Sequence, residues 1–244
     1  MSANNSSTTK TVTVDCPAGT TVIGGGGYVG GTTNQAFITG LEPVVAMNGT
    51  GYRTTATEDE TGYAGDWYVV GYVLCAPAPA GLEYRSASTT SSSQSSQGVS
   101  ATCTTGKQVL GTGAVVNGGG REVGLSHMLP TPDALTHVAA VAHEDETGYG
   151  GMWSVTAFAV CANPPPRLQR VIAFPTTHRN SAVAVCPDGT QVHGIGGYLS
   201  GGWGEVRLVG AHPFFLTAGY LVGGEDETGY AGSWSPVAVI ICAS

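Results

Sequence analysis

Apolar positions along this chain do not recur with helical spacing in any segment. They fall in short runs, or at every second residue, separated by Gly, Pro, Ser and Thr, and that arrangement predicts strands. Trp67–Cys75 and Trp153–Cys161 are rich in β-forming residues, and the second alternates at period two before a Pro-containing stop. Thr11–Cys16, Ala182–Cys186, Phe37–Leu41, Val123–Leu125 and Tyr52–Thr57 read as further short strands, about four or five per unit of the repeat described below. Two more are predicted in the segments Leu82–Ser86 and Leu168–Phe174.

The repeat is the strongest signal. Cysteines pair off at 16 and 75, 103 and 161, and 186 and 242, with separations of 59, 58 and 56 residues. Each pair brackets a unit that opens with C-x-x-G-x-x-V-x-G-x-G, as in Cys16, Gly19, Val22, Gly24 and Gly26. Pro43, Pro130 and Pro213 follow at the same offset, then EDETGY, then Trp67, Trp153 and Trp234 nine residues after the first Glu. Repeat 1 spans 11–76, repeat 2 103–162 and repeat 3 186–244; linkers 77–102 and 163–185 each carry an extra strand. No such strand precedes repeat 1, so a ring of three units is left with one unequal edge. All three repeats form one domain over 1–244.

Composition narrows the class. Glycine numbers 38 of 244 residues, and Asp, Glu, Lys and Arg make up only 11%, against a usual ~7% glycine and ~25% charge. Coiled coils, acidic disordered tails and collagen are excluded. Two lysines, Lys10 and Lys107, and a net charge of −8 leave nothing to drive nucleic-acid binding by counterion release. No apolar run is long enough for a membrane span, and no secretory leader is visible in MSANNSSTTKT, so a soluble chain with no membrane insertion is expected.

Glycines two apart on a strand share a face, so Gly24/Gly26, Gly111/Gly113 and Gly194/Gly196 leave bare strips that the recurring tryptophans are expected to fill. The repeat selects one of the possible cysteine pairings, Cys16–Cys75, Cys103–Cys161 and Cys186–Cys242, and disulfides place the chain in an oxidising setting, secreted or on a virion. Zinc is disfavoured by the spacing.

The acidic sextets are Glu58, Asp59 and Glu60, then Glu144, Asp145 and Glu146, then Glu225, Asp226 and Glu227, each followed by Thr-Gly-Tyr. A left-handed turn capped by Thr is the main reading, with Tyr packing near the repeat interface. A carbohydrate or protein contact is a second. Calcium is a third, if the strand runs on and puts the two Glu of each sextet on one face. No cofactor is otherwise implied. No nucleophile motif, H-E-x-x-H or P-loop occurs. Gly25-x-Gly27-x-x-Gly30 is found in repeat 1 alone with no helix following, and no histidine holds a shared repeat position; His143, beside Glu144, is the nearest to an acid–base pair.

The Cys-Pro-x-Gly-x-x-Val-x-Gly-Gly-Gly opening at Cys16, the Trp eight residues before a closing Cys-Ala and the unit length of about 85 residues resemble the glycine-rich Cys-Pro repeats of secreted actinobacterial proteins and of tail-associated proteins of their phages. Repeat 2 departs with Cys103-Thr. Three disulfide-bearing β units with an acidic turn before the last strand also look like the β-prism of vitelline membrane outer layer protein. The resemblance implies three antiparallel sheets about a pseudo-threefold axis and lectin-like binding.

The expectation is therefore an all-β, β-prism-like fold of three fused antiparallel repeats with one disulfide each. Its expected role is that of a non-enzymatic module, extracellular or on a particle, recognising glycan or cell-surface ligands. Trp203, Phe214, Phe215 and Tyr220, with Tyr52 and Arg53, are the candidate ligand residues, since apolar rings beside polar groups suit sugars. A virion component or self-assembling fibre subunit is the alternative, and a hydrolase using paired carboxylates a third.

Overall fold

In the strand Thr9–Asp15 (β1), Lys10 and Val12 are buried while Thr9, Thr11 and Thr13 are exposed, the period-two pattern of a strand with one wet face. The computed structural model describes residues 1–32, 34–46, 49–131, 135–175, 180–226 and 229–244, and among these there are seventeen strands and no helix. In chain order they are followed by β2 (Thr21–Gly30), β3 (Ala36–Ala46), β4 (Gly49–Glu58), β5 (Tyr68–Ala76), β6 (Glu83–Ser88), β7 (Ser96–Thr102), β8 (Gln108–Asn117) and β9 (Val123–Pro130). The rest are β10 (His137–Glu144), β11 (Ser154–Ala162), β12 (Gln169–Ala173), β13 (Ser181–Val185), β14 (Gln191–Ser200), β15 (Val206–Phe214), β16 (Ala218–Glu225) and β17 (Ser235–Ala243).

They form three sheets. Sheet I has the order β1-β4-β3-β8-β11-β6, sheet II β12-β17-β14-β9-β10-β7, and sheet III, with five strands, β13-β16-β15-β2-β5. No sheet is built from one repeat. Repeat 1 gives β1, β3 and β4 to sheet I but β2 and β5 to sheet III; the later units divide in the same way between sheets I and II and between sheets II and III. The two halves of each sheet meet along a narrow seam, Gly40–Val115 and Leu41–Ala114 in sheet I, Met128–Gly197 and His127–Tyr198 in sheet II, and Gly210–Tyr28 and Ala211–Gly27 in sheet III. Pro43, Pro130 and Pro213 lie two residues past these seams. Proline has no N–H for a ladder, so its recurrence ends the pairing at that point.

The bare glycine strips do not hold tryptophan. A Cβ on Gly24 would lie 2.1 Å from the His193 carbonyl oxygen, one on Gly111 2.1 Å from that of Ile23, and one on Gly194 2.3 Å from that of Leu110. Strands β2, β8 and β14 thus converge backbone to backbone, each strand's glycine against the next. Gly26, Gly113 and Gly196 meet the carbonyls of Ala211, Leu41 and Met128 in the same manner. The expectation failed because the bare strips let neighbouring backbones approach to where a Cβ would stand, leaving no space for an indole.

The disulfides Cys16–Cys75, Cys103–Cys161 and Cys186–Cys242 form as the repeat predicted. Each ties the end of one sheet to a strand of another: Cys16 follows β1 of sheet I and Cys75 lies on β5 of sheet III. The extra linker strands are β6 and β12. Strands β10, β15 and β16 were not picked out individually, and β7 was missed outright: in the Ser-rich stretch read as linker, it opens repeat 2 as β1 opens repeat 1. Its apolar residues, Val99 and Ala101, are too few to stand out from their polar surroundings. No helix of the described residues is long and apolar enough to cross a membrane.

Candidate functional site

The strands carrying the acidic sextets stop at the first Glu: β4 ends at Glu58, β10 at Glu144 and β16 at Glu225. The paired-Glu geometry expected of a strand running through is therefore not formed. Instead each first Glu accepts a hydrogen bond from the tryptophan nine residues on, with Nε1–Oε1 distances of 2.9 Å for Trp67–Glu58, 2.8 Å for Trp153–Glu144 and 2.7 Å for Trp234–Glu225. A bonded carboxylate lets the indole N–H be buried without loss. Asp59, Asp145 and Asp226 then accept from the backbone N–H of Gly62, Gly148 and Gly229, which take φ of 78°, 71° and 74°. Thr61 and Thr147 donate to the Asp side chain rather than to backbone. Tyr63 donates to the Gly31 carbonyl at 3.1 Å. Glu227 lies outside the described residues.

Just before these turns the backbone N–H of Asp59, Asp145 and Asp226 bonds the carbonyl of Gln35, Glu122 and Glu205 in turn. Two residues further along those segments stand Phe37, Gly124 and Arg207. They meet: the Arg207 guanidinium lies 4.4 Å from the Phe37 ring centroid, and a Cβ on Gly124 would lie 2.6 Å from Arg207 Cγ. Arg207 is buried and bonds Asp145 at 2.7 Å, with Asp226 at 3.8 Å. A charge is tolerated in this interior because it is paired and rests on an aromatic face.

Glu146, Glu205 and Asp226 place carboxylate oxygens within 4.8 Å of one another. Burial, Asp226 and Glu146 push the Glu205 carboxyl up to about 7. As a calcium site the turns fit poorly. The Asp oxygens nearest the loop are spent on Gly and Thr, one oxygen of each first Glu is spent on tryptophan, and Arg207 already supplies a cation beside Asp226.

The outer faces of the sheets differ. In sheet I, Arg53 pairs with Glu42 at 3.4 Å. In sheet II, His127 and Tyr198 stack across the seam at 5.6 Å, and burial holds the His127 pKa down to about 4. Sheet III carries an aromatic row. Tyr72 of β5 stacks on His212 of β15 at 5.5 Å, Tyr28 of β2 lies 4.9 Å from the same imidazole, and Tyr220 of β16 stacks on it at 5.5 Å, nearly parallel. Phe214 meets Tyr220 at 5.1 Å and Phe215 at 4.6 Å, both edge-on. The row ends at the β15–β16 turn, where Phe215 is 78% and Leu216 56% exposed. Phe215 takes φ of 54°, a conformation disfavoured for an aromatic residue, and the turn turns this ring outward. His212 Nδ1 lies 3.1 Å from the Pro213 carbonyl, which can only accept; the proton is therefore on Nδ1 and Nε2 keeps its lone pair. Burial lowers the His212 pKa, so the imidazole is neutral near pH 7.

Of the candidate ligand residues, the structure brings Phe214, Phe215 and Tyr220 together and adds Tyr28, Tyr72 and His212. Trp203 stands apart, 68% exposed and stacked on His143 at 5.9 Å. Tyr52 is fully buried, donating to the Thr112 carbonyl at 2.8 Å with its ring against Gly25. It is a core residue and not part of a surface with Arg53: successive residues of a strand face opposite ways, and on β4 Tyr52, Thr54 and Ala56 are buried while Arg53 and Thr55 are only half-buried. A separate polar cleft of about 380 Å³ is lined by Thr89, Thr90, Ser92, Gln94, Ser96, Gln97 and Gly98 and presents no ring or charge. The chain matches no protein-family model and no curated protein sequence.

Proposed function

We propose that this protein is a non-enzymatic binding module that recognises glycans at a cell surface, with the outer face of sheet III as its platform. The fold behind it is read as a β-prism of three repeats about a pseudo-threefold axis, each repeat shared between two sheets. The observation that carries the reading is the continuous row Tyr72, Tyr28, His212, Tyr220, Phe214 and Phe215. Aromatic faces stack on the apolar C–H faces of sugar rings, while phenol hydroxyls and the Nε2 lone pair of a neutral His212 supply hydrogen bonds to sugar hydroxyls. Among the described residues neither of the other two sheets offers such a row. Three disulfides suit work in an oxidising setting, outside the cell or on a particle.

The test is a glycan array together with a pull-down on cell walls, run on the wild-type chain and on Phe215→Ala and Tyr220→Ala. Each truncation is expected to weaken binding about tenfold, equal to about 1.4 kcal/mol, while Trp203→Ala leaves it unchanged. Binding at background for the wild type, or equal binding by all the variants, overturns the reading.

A further inference from the structure

Sheet III has five strands: among the described residues no strand pairs with the outer side of β5. In sheet I the corresponding strand, β11, is covered by β6, with Cys161 opposite Glu83, Ala159 opposite Arg85 and Ala157 opposite Ala87. In sheet II β17 is covered by β12, with Cys242 opposite Gln169, Ile240 opposite Val171 and Ala238 opposite Ala173. The amino terminus closes only the first part of the β5 edge: Asn5 bridges Trp67, and Ser2 exchanges bonds of 2.9 Å with Val69. Since outward-facing backbone groups alternate along a strand, Val69 sets the phase, and Gly71, Val73 and Cys75 present theirs to solvent. Side chains register the missing cover. Ala159, Ile240, Cys161 and Cys242 are fully buried, whereas Val73 and Cys75 are half-buried.

We infer that the β5 edge is a dimerisation surface, filled by β5 of a second copy running antiparallel about a twofold axis at Val73. The outward residues are symmetric about that point: Val73 would pair with Val73 of the second copy, and Gly71 with Cys75. The strands that cover β11 and β17 carry charge, Glu83 and Arg85 on β6 and Arg170 on β12. From Tyr68 to Ala76, β5 has no charged residue and no proline, so it lacks the usual devices that keep an edge from pairing with its own kind. The uncharged edges β7 and β13 already lie against β6 and β12. Two copies of β5 meet with no charge repulsion, and the apolar pair Tyr72 with Leu74 recurs on both sides of the axis. The pairing is isologous and closes at two.

The test is mass by light scattering over a concentration series, on three chains with intact disulfides. The wild type is expected at twice 24.7 kDa. Val73→Pro removes the central outward N–H at a position where an edge strand tolerates proline, and is expected at the monomer mass. The third chain supplies the strand in cis. Thr89, which follows β6, donates to Val155 just as Ser2 donates to Val69. Placing Glu-Tyr-Arg-Ser-Ala, the sequence of residues 83–87, ahead of Met1 is therefore expected to cover β5 and give a monomer without touching the folded core. A wild type that stays monomeric, or assembles beyond two, overturns the inference. So does a dimer that survives the added strand, because it must use another surface.

Discussion

Sheets I and II each end on a short strand contributed by a linker, whereas sheet III ends on β5, a strand that is interior in kind but peripheral in place. The disulfide of repeat 1 shows the consequence: Cys16 and Cys75 are half-buried, while Cys161 and Cys242 have no exposure and Cys103 and Cys186 only 7%. Nearly identical loops of 59, 58 and 56 residues thus carry bonds in different surroundings. What separates the sheets is one strand of cover, not the motif. The same comparison holds at the other end, where Phe37, Gly124 and Arg207 occupy matching places in sheets I, II and III and one cation serves all three.

The largest effect that would sharpen this contrast is the loss of a disulfide. Removing Cys103 and Cys161 together as Ala is expected to cost roughly 4 kcal/mol from loop entropy plus about 1 kcal/mol of lost packing. Removing Cys16 and Cys75 should cost the loop term alone. Urea denaturation of both double variants measures the difference, and equal midpoints would break the contrast. In mild reductant the Cys16–Cys75 bond should be the first to open, read by mass after alkylation.

Next in size is Arg207→Met, which leaves Asp145 and Asp226 buried beside a neutral side chain and is expected to destabilise by about 3 kcal/mol. A loss confined to the contacts of sheet III in hydrogen exchange would deny that the cation serves the neighbouring sheets. The smallest effect concerns Glu205, whose place in sheet I is held by the amide Gln35. Its carboxyl is raised in the folded chain, so the folded state binds the proton more tightly than the unfolded one. Stability is therefore present below pH 4.5 and lost as pH rises toward about 7. Glu205→Gln should flatten that loss and gain about 1 kcal/mol at pH 8, discounted for its solvent exposure; a variant with the wild-type pH profile would contradict this.

Most strands were legible because each is a local pattern of alternation bounded by Gly or Pro, and the disulfides because three nearly equal cysteine spacings leave one consistent pairing. The unequal edge was legible too, since the stretches ahead of repeats 2 and 3 each read as carrying an extra strand and residues 1–8 did not. Strand β7 was not, since its stretch of Ser and Gln carries only two apolar inward residues. The candidate surface was half legible. Phe214, Phe215 and Tyr220 are neighbours in sequence, but Tyr28 and Tyr72 reach them only through the β2–β15 seam, and Tyr52, read as a surface ring beside Arg53, lies on the opposite, inward face of β4.

The sequence by itself determined what depends on short range and on covalent bonds: the all-β class, the spacing of turns, the positions needing glycine, and which sulfurs join. Only the tertiary structure decided which strands are neighbours, and so which face is aromatic, what the glycine strips lie against and where the chain is left open. The reason is that period-two alternation specifies a side of a strand but never its partner. When each repeat divides between two sheets, every contact that makes a surface is long-range.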